Sequence, residues 1–371
     1  ACLYIASSLV STFVSVAPMV SIYAVFGREI LEQLLFFYLF LYFLQVPGFW
    51  RSLRNALYFA TFITCLLAYA EVYAGTNPLI PFIPDGWLDF RAGILRARST
   101  FFHPIAYACF LNLVFPFVVV DFLNTRRNER RVALAVLGIA ILVAALFTVS
   151  RAPWIILALE VAGLVLWECR RDLRRMAFIV TLGCIAVGAA FLSYQLNETV
   201  QDLFEPFINP SKVEEGSTEY YRVVVFEAVW ERVQSARIFF GYGPNAFNYA
   251  DIEVTYNNTT RIIQEPDLHY ARILFEFGAI GSGLILLLIF RGIGRGVHNL
   301  RRSEPEQQRW IIAALAGVVS FVLVNFTVSM FSMFPLGMIF WLSMAVALHE
   351  APAGTGPHRP EPVPAKNRAT A

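Results

Sequence analysis

Residues 132–168 read "VALAVLGIAILVAALFTVSRAPWIILALEVAGLVLWE", and this stretch decides the class of fold. A helix needs about 20 apolar residues to cross a bilayer. These 37 residues carry only three charged side chains and are long enough for two crossings. We place the crossings at 132–149 and 152–168, with Ser150 and Arg151 in the turn between them. The stretch therefore predicts a helical hairpin within a membrane.

Apolar windows of the same kind recur along the rest of the chain. Hydrophobic residues make up 57% of the 371 residues and the mean hydropathy is +0.59, both well above the values of soluble domains. A single anchor or a cleaved signal peptide would give one such window, so both are excluded. We predict an all-α fold, a polytopic transmembrane helix bundle of about ten spans. The predicted spans are 3–26, 30–47, 56–74, 101–123, 132–149, 152–168, 176–195, 269–290, 310–327 and 330–348.

The two ends of the chain lie outside this pattern of spans. The first residue is Ala and lies inside an apolar run, so we expect the numbering to begin partway through a longer protein. The tail 349–371 is rich in proline and has no apolar run, which predicts disorder.

Arginines are concentrated in alternate connections, such as 124–131, 169–175 and 291–309. Connections of this kind face the cytoplasm. The segment 197–268 then lies in the periplasm, and it carries twelve acidic residues against five basic ones. The predicted organisation is seven spans in 1–196, a large periplasmic loop in 197–268, three spans in 269–348 and a disordered cytoplasmic tail in 349–371.

The large loop has signals of its own structure. Ser217 and Thr218 can cap a helix that runs from Glu219 to about Phe239. We expect this helix to lie against the bundle or the membrane interface through an apolar face. The residues of that face are Val223, Phe226, Trp230 and Val233.

The sequence "GYGPNAF" at 241–247 follows this helix. Gly241 and Gly243 allow positive φ, so a tight turn packed under a helix is one interpretation. A cradle of backbone N–H groups around a phosphate is the other.

The apolar run "DLHYARILFEFGAIG", 267–281, has His269 at its start and Arg272 and Glu276 within it. If Asp267 caps this helix, His269 lies in its first turn, and Arg272 and Glu276 follow on nearly the same face as an i, i+4 pair. We expect this face to point into the bundle. A histidine can accept a proton from a hydroxyl, so His269 is the candidate general base; the alternative is a histidine that only packs at the interface.

Two arginines are candidates for binding a phosphate group, because the guanidinium fork matches phosphate oxygens. Arg151 lies in the hairpin turn, where it could instead extend its charged end to water. Arg222 lies in the first turn of the loop helix, where it could instead be a solvated charge. Glu160 lies near the middle of its span, and we expect it to be protonated or hydrogen-bonded inside the bundle.

Three separated stretches resemble the superfamily of O-antigen ligases and O-antigen polymerases, which are polytopic bacterial enzymes that transfer glycans. They are "FTVSRAPW" (147–154), "EYYRVVVFEAVWERVQSARIFFGYGPNAF" (219–247) and "HYARILFEFGAIGSGLILLL" (269–288), in the order that the family has and around one large loop. A weaker match, "RSTFFHPIAYACFLNLVFPF" (98–117), precedes them.

The chain departs from the family pattern at three positions. Tyr270 follows the histidine where family members often have asparagine. His103 precedes Pro104 where asparagine is common, and Asn245 stands where a third glycine is usual.

The resemblance implies that a glycan moves, with inversion, from undecaprenyl pyrophosphate to an acceptor sugar hydroxyl on the periplasmic face of the bacterial inner membrane. It implies a catalytic role for His269 and pyrophosphate binding by Arg151 and Arg222. No metal, nucleotide or other cofactor is expected. Supporting positions are expected at Ser150, Tyr221, Gly241, Gly243, Arg272 and Glu276.

The expected partners are the lipid-linked donor, membrane lipids and an acceptor, with no nucleic acid. The acceptor is lipid A–core for a ligase or a second lipid-linked glycan for a polymerase, and a protein O-oligosaccharyltransferase is a further possibility. From other classes, a lipid-glycan flippase predicts internal repeats, which the sequence does not show. A scaffold or sensor leaves Arg151, Arg222 and His269 unexplained.

Overall fold

The computed structural model describes residues 2–82, 88–91, 93–169, 218–256, 259–263, 266, 268–331 and 333–349. The predicted span 176–195, the first part of the predicted loop and the tail after residue 349 lie outside these ranges.

The described chain is mostly helical. In chain order, its helices are α1 (Cys2–Phe13), α2 (Pro18–Ala24), α3 (Phe36–Phe43), α4 (Phe49–Ala74), α5 (Pro104–Asn124), α6 (Asn128–Phe147), α7 (Arg151–Cys169), α8 (Thr218–Ala236), α9 (His269–Arg302), α10 (Pro305–Val324) and α11 (Leu336–Leu348). Two antiparallel hairpins complete it: β1 (Phe90–Arg91) with β2 (Ile94–Leu95), and β3 (Ile252–Tyr256) with β4 (Thr259–Ile263).

Five of the described helices are long and apolar enough to cross a membrane: α4, α5, α6, α9 and α10. Helices α1 and α11 are apolar but shorter. The chain is thus a multi-pass membrane protein, while the total of about ten spans stays a prediction. Helix α5 lies at the centre, packed against α6, α7 and α10. Inside this core Ser320 Oγ donates to Glu160 Oε1 at 2.9 Å, which confirms the expected hydrogen bond to Glu160.

The first two predicted spans are wrong in their boundaries. The prediction 3–26 crosses a break between α1 and α2, where the Ala17 N–H donates to Ser15 Oγ at 3.0 Å and Pro18 starts the next helix. Proline is favoured at a helix start because it lacks the N–H that would be unpaired there. From Pro18 the chain then stays helical through a π-helical segment, Val25–Leu35, into α3. The second helical unit therefore runs through the predicted connection 27–29.

Helix α8 confirms the predicted loop helix, although it ends at Ala236 rather than near Phe239. Of the predicted face, only Val233 packs against the rest of the protein, and contact of the other three residues with the membrane interface stays a prediction. Val225, Val229 and Val233 are the buried residues, and they pack with the β3–β4 hairpin and α9. The other residues of the predicted face, Val223, Phe226 and Trp230, are exposed. The hairpin itself was not predicted.

A break in α9 receives the segment that follows α8. At Gly278 the backbone has φ 64° and ψ −171°, which leaves nearby backbone groups of α9 available to other partners. The Tyr242 N–H donates to Phe275 O at 2.8 Å, and the Ala279 N–H donates to Ile238 O at 2.7 Å. The segment after α8 and helix α9 cross so closely that a Cβ on Gly241 would lie 2.5 Å from Gly278 N. This crossing holds the predicted turn against the helix that begins at His269.

Candidate functional site

His269 is the first residue of α9, as predicted. The preceding N-cap position is Leu268, whereas Asp267, the expected cap, lies outside the described residues. The imidazole is buried: its Nδ1 lies 3.0 Å from Ser329 Oγ, and its ring stacks on Phe331 with 4.9 Å between centroids. These contacts fix the orientation of the ring.

Arg272 and Glu276 form the predicted i, i+4 ion pair, with Arg272 Nε 2.8 Å from Glu276 Oε1. Both side chains are buried. Asn245 joins them: Arg272 Nη2 donates to Asn245 Oδ1 at 3.0 Å, and the Asn245 N–H donates to the Glu276 carboxylate. Asn245 has φ 57°, a conformation that favours glycine, and its side chain adds the contact to Arg272.

Three further residues complete a buried network that the sequence analysis missed. Arg28 Nη2 lies 3.1 Å from Glu276 Oε2, and Arg28 Nε lies 2.8 Å from Glu29 Oε1. Tyr4 Oη donates to Glu29 Oε2. Opposite charges alternate along this network, which buried charges require for stability. The sequence signal for this part of the network is the pair of charges in "GREI", 27–30. Both charges lie in the predicted connection 27–29, where no buried site is expected.

These groups line a cavity of about 40 Å³. Its polar lining comes mainly from Tyr4, Arg28, Glu29, His269, Arg272 and Glu276. A water molecule needs roughly 10–15 Å³ of such volume, so the cavity has room for a few waters or a hydroxyl group. It is far smaller than the roughly 300–1,000 Å³ typical of pockets that enclose a whole ligand.

Ser150 and Arg151 lie at the turn into α7, as predicted. Ser150 Oγ accepts from Arg96 Nη2 at 3.0 Å and donates to Thr148 O at 3.0 Å. Arg96 in turn donates from Nη1 to Asp89 Oδ2 at 2.9 Å. Arg151 is only 8% exposed, which does not fit an arginine that extends its charged end into water.

Arg222 and Tyr221 lie in the first turns of α8, and both are half-buried. Arg222 Nε is buried and has no hydrogen-bond partner in the described part of the chain. A buried N–H without a partner is costly. The buried Nε therefore favours an anionic ligand for Arg222 over the alternative of a solvated charge on the helix.

The structure brings only some of the predicted site residues together. Arg151 lies at the same end of the bundle as His269. The starts of α6 and α10 lie together at a second cavity, α6 then leads into the turn at Arg151, and α10 leads to Asn325, whose carbonyl accepts from the His269 N–H. Among the described residues, however, neither Arg151 nor Arg222 lines the cavity at His269. Action of the three residues on one substrate stays a prediction.

The turn at Gly241 and Gly243 packs against other backbone. The N–H groups of Gly241 and Gly243 donate to Arg237 O and Glu276 O, both at 2.9 Å. These donors are therefore already paired, which favours the packed turn over the phosphate cradle. Within the described ranges, no group of three or more His, Cys, Asp or Glu residues could hold a metal ion.

A bundle of membrane-spanning helices with a charged cavity at one helix end defines a multi-pass membrane protein with a buried polar site. A family model described as O-antigen ligase matches residues 134–287. This match confirms the resemblance to the O-antigen ligase superfamily. The matched range includes all nine predicted site residues. No curated protein matches the chain. The family implies glycosyl transfer from lipid-linked glycans in a membrane.

Proposed function

We propose that the chain moves a glycan from undecaprenyl pyrophosphate to an acceptor hydroxyl on the periplasmic face of the bacterial inner membrane. The observation that carries this proposal is the buried network around His269, which lies within the range matched by the O-antigen ligase model. The proposed reaction inverts the configuration at the anomeric carbon and uses no metal.

His269 is the general base of the proposed reaction. Its Nδ1 is engaged by Ser329 Oγ at 3.0 Å, so the proposed mechanism uses Nε2 as the nitrogen that accepts the acceptor's proton. The acceptor oxygen bonds to the anomeric carbon as the bond from that carbon to the pyrophosphate oxygen breaks, and the leaving group takes the bonding electrons. Because the cavity admits a hydroxyl but no sugar ring, the acceptor ring stays outside it.

Arg151 and Arg222 bind the pyrophosphate in this proposal. Negative charge grows on the leaving oxygen during bond cleavage, and buried guanidinium groups stabilise it more strongly than water does. The buried Nε of Arg222 and the burial of Arg151 support this role.

Histidine substitution tests the proposal. His269→Gln keeps a hydrogen-bonding side chain that cannot accept the proton, and general-base assistance is typically worth about 10² to 10⁴ in rate. Transfer from purified lipid-linked donor should fall by that factor while donor binding is retained. His298→Gln changes a histidine on the same helix, 29 residues further along, and should leave transfer unchanged. Transfer by His269→Gln at the unmodified rate would refute the assignment.

The acceptor is tested in the same assay. Lipid A–core, a second lipid-linked glycan and a serine-containing peptide are supplied separately with one donor. Product from lipid A–core identifies a ligase, and a ladder of repeats identifies a polymerase. Product on the peptide identifies a protein O-oligosaccharyltransferase. If the donor instead crosses the membrane of proteoliposomes and no glycan is transferred to any acceptor, the flippase is favoured.

A further inference from the structure

A second cavity lies at the opposite end of the bundle from His269. Helix α10 begins at this cavity and ends near His269, and its 20 residues span about 30 Å at 1.5 Å per residue. The cavity has a volume of about 480 Å³, within the range of ligand pockets. We call it the arginine cavity, and its arginines are Arg51, Arg54, Arg126, Arg127, Arg130 and Arg309.

Positive charge exceeds negative charge in the arginine cavity. Its described lining includes six arginines and two carboxylates, Asp121 and Glu306. Three helices, α4, α6 and α10, begin beside it, while α5 ends there. Three positive dipole ends therefore face one negative end, and the net dipole contribution to the field is positive. An anion is the ligand that this field favours.

Arg54 shows that the excess is built into the packing. It is 7% exposed, and its guanidinium carbon lies 4.4 Å from the centre of the Trp310 ring. Its Nε lies 3.4 Å from Asp121 Oδ2 but makes no hydrogen bond, while Arg130 Nη2 donates to the same oxygen at 2.6 Å. One carboxylate is thus shared by two arginines, and the buried Nε–H of Arg54 makes an ion pair but no hydrogen bond.

Loop arginines that only orient a membrane protein need not converge on one cavity. Here they come from α4, from the α5–α6 connection, from α6 and from α10. Arginine forks pair with two oxygens of one phosphate group. Basic pockets between helix ends at a membrane surface suit phospholipid headgroups, which present such a phosphate.

We propose that the arginine cavity binds a phosphate group, supplied by the headgroup of an anionic phospholipid in the adjoining leaflet. The site is separate from glycan transfer, since it lies at the other membrane face. Inorganic pyrophosphate from solution offers the same chemistry, and the experiment distinguishes these two sources.

The test compares thermal stability of the full chain in detergent with phosphatidylglycerol, phosphatidylcholine or inorganic pyrophosphate added. A ligand that binds only the folded state raises the melting temperature. The triple variant Arg51→Gln, Arg126→Gln, Arg127→Gln removes three exposed arginines from the cavity. The triple variant Arg291→Gln, Arg301→Gln, Arg302→Gln is the matched control, because it removes three exposed charges outside the cavity.

We expect phosphatidylglycerol, but not phosphatidylcholine, to stabilise the unmodified chain and the control. Its apparent affinity should be about fivefold weaker for each cavity arginine removed. Stabilisation by pyrophosphate alone, lost in the cavity variant, would keep the phosphate site and make its source soluble. An equal response of both triple variants, or no response to any anion, would overturn the proposal.

Discussion

At the scale of single residues, each of the three positions that depart from the resembling family's pattern has a local structural role. His103 is the N-cap of α5, where its Nδ1 accepts from the Ile105 N–H at 3.1 Å, a bond that an asparagine side chain makes equally well. Asn245 has a positive φ of 57°, a conformation that favours glycine. Tyr270 donates from Oη to Val322 O at 2.8 Å and so packs α9 against α10.

The cap predicts a pH dependence of stability. Burial, reinforced by the charge of Arg96, lowers the pKa of His103 to about 4 from its ordinary value of 6.5. Between these values the unfolded chain binds a proton that the folded chain does not, so stability falls as pH drops from 6.5 towards 4. His103→Asn keeps the cap without the titration.

The measurement is the melting temperature between pH 4 and pH 7, compared for the unmodified chain and the His103→Asn variant. The difference between them should change through this range and be constant above it. Parallel curves throughout would show that His103 does not contribute to the acid response.

At the scale of elements, the long helices were predictable and their irregular partners were not. Spans 56–74, 101–123 and 132–149 correspond to α4, α5 and α6, because an apolar window of membrane length has no other stable conformation in lipid. The β3–β4 hairpin has a weaker signal, one short alternating run at 252–256 followed by two asparagines and a run at 259–263 that does not alternate. The break in α9 depends on Gly241, which is 37 residues away in sequence from Gly278.

That crossing predicts an asymmetric effect of glycine substitution. In Gly278→Ala, the new methyl group would lie 2.5 Å from Phe239 O, and the residue would keep an unfavourable φ of 64°. Both the melting temperature and the transfer rate should fall. Gly283→Ala, in the same helix, meets nothing within 4 Å and should be neutral or stabilising by up to about 1 kcal/mol.

The melting temperatures and transfer rates of Gly278→Ala and Gly283→Ala test whether only the first substitution is harmful. If Gly278→Ala behaved like Gly283→Ala, the crossing would be loose enough to move and would not hold the turn at 241–243 against α9.

At the scale of the whole molecule, the charge asymmetry predicts opposite exposure of the two ends. In a cysteine-free background, an introduced cysteine at the exposed Glu253 of β3 should react with a membrane-impermeant reagent in intact spheroplasts. A cysteine at the exposed Arg301, which ends α9 with Arg302, should react only after permeabilisation. The reverse pattern would invert the orientation and place His269 at the cytoplasmic face.

The candidate site was predictable only where it is local in sequence. His269, Arg272 and Glu276 share one helix, so helical spacing alone places them on one face. Arg28, Glu29 and Tyr4 reach the same cavity through tertiary packing of helices that lie more than 200 residues earlier. No periodicity within a single helix reports such a contact.

The contact between Arg28 and Glu276 has a consequence for biosynthesis. The ribosome makes Arg28 first and its partner 248 residues later, an interval of roughly 12–50 s at about 5–20 residues per second. Of the two carboxylates that Arg28 contacts in the finished network, only the adjacent Glu29 exists during that interval. Until Glu276 has been made, Glu29 is therefore the only one of these two carboxylates that can neutralise Arg28 in the nascent chain.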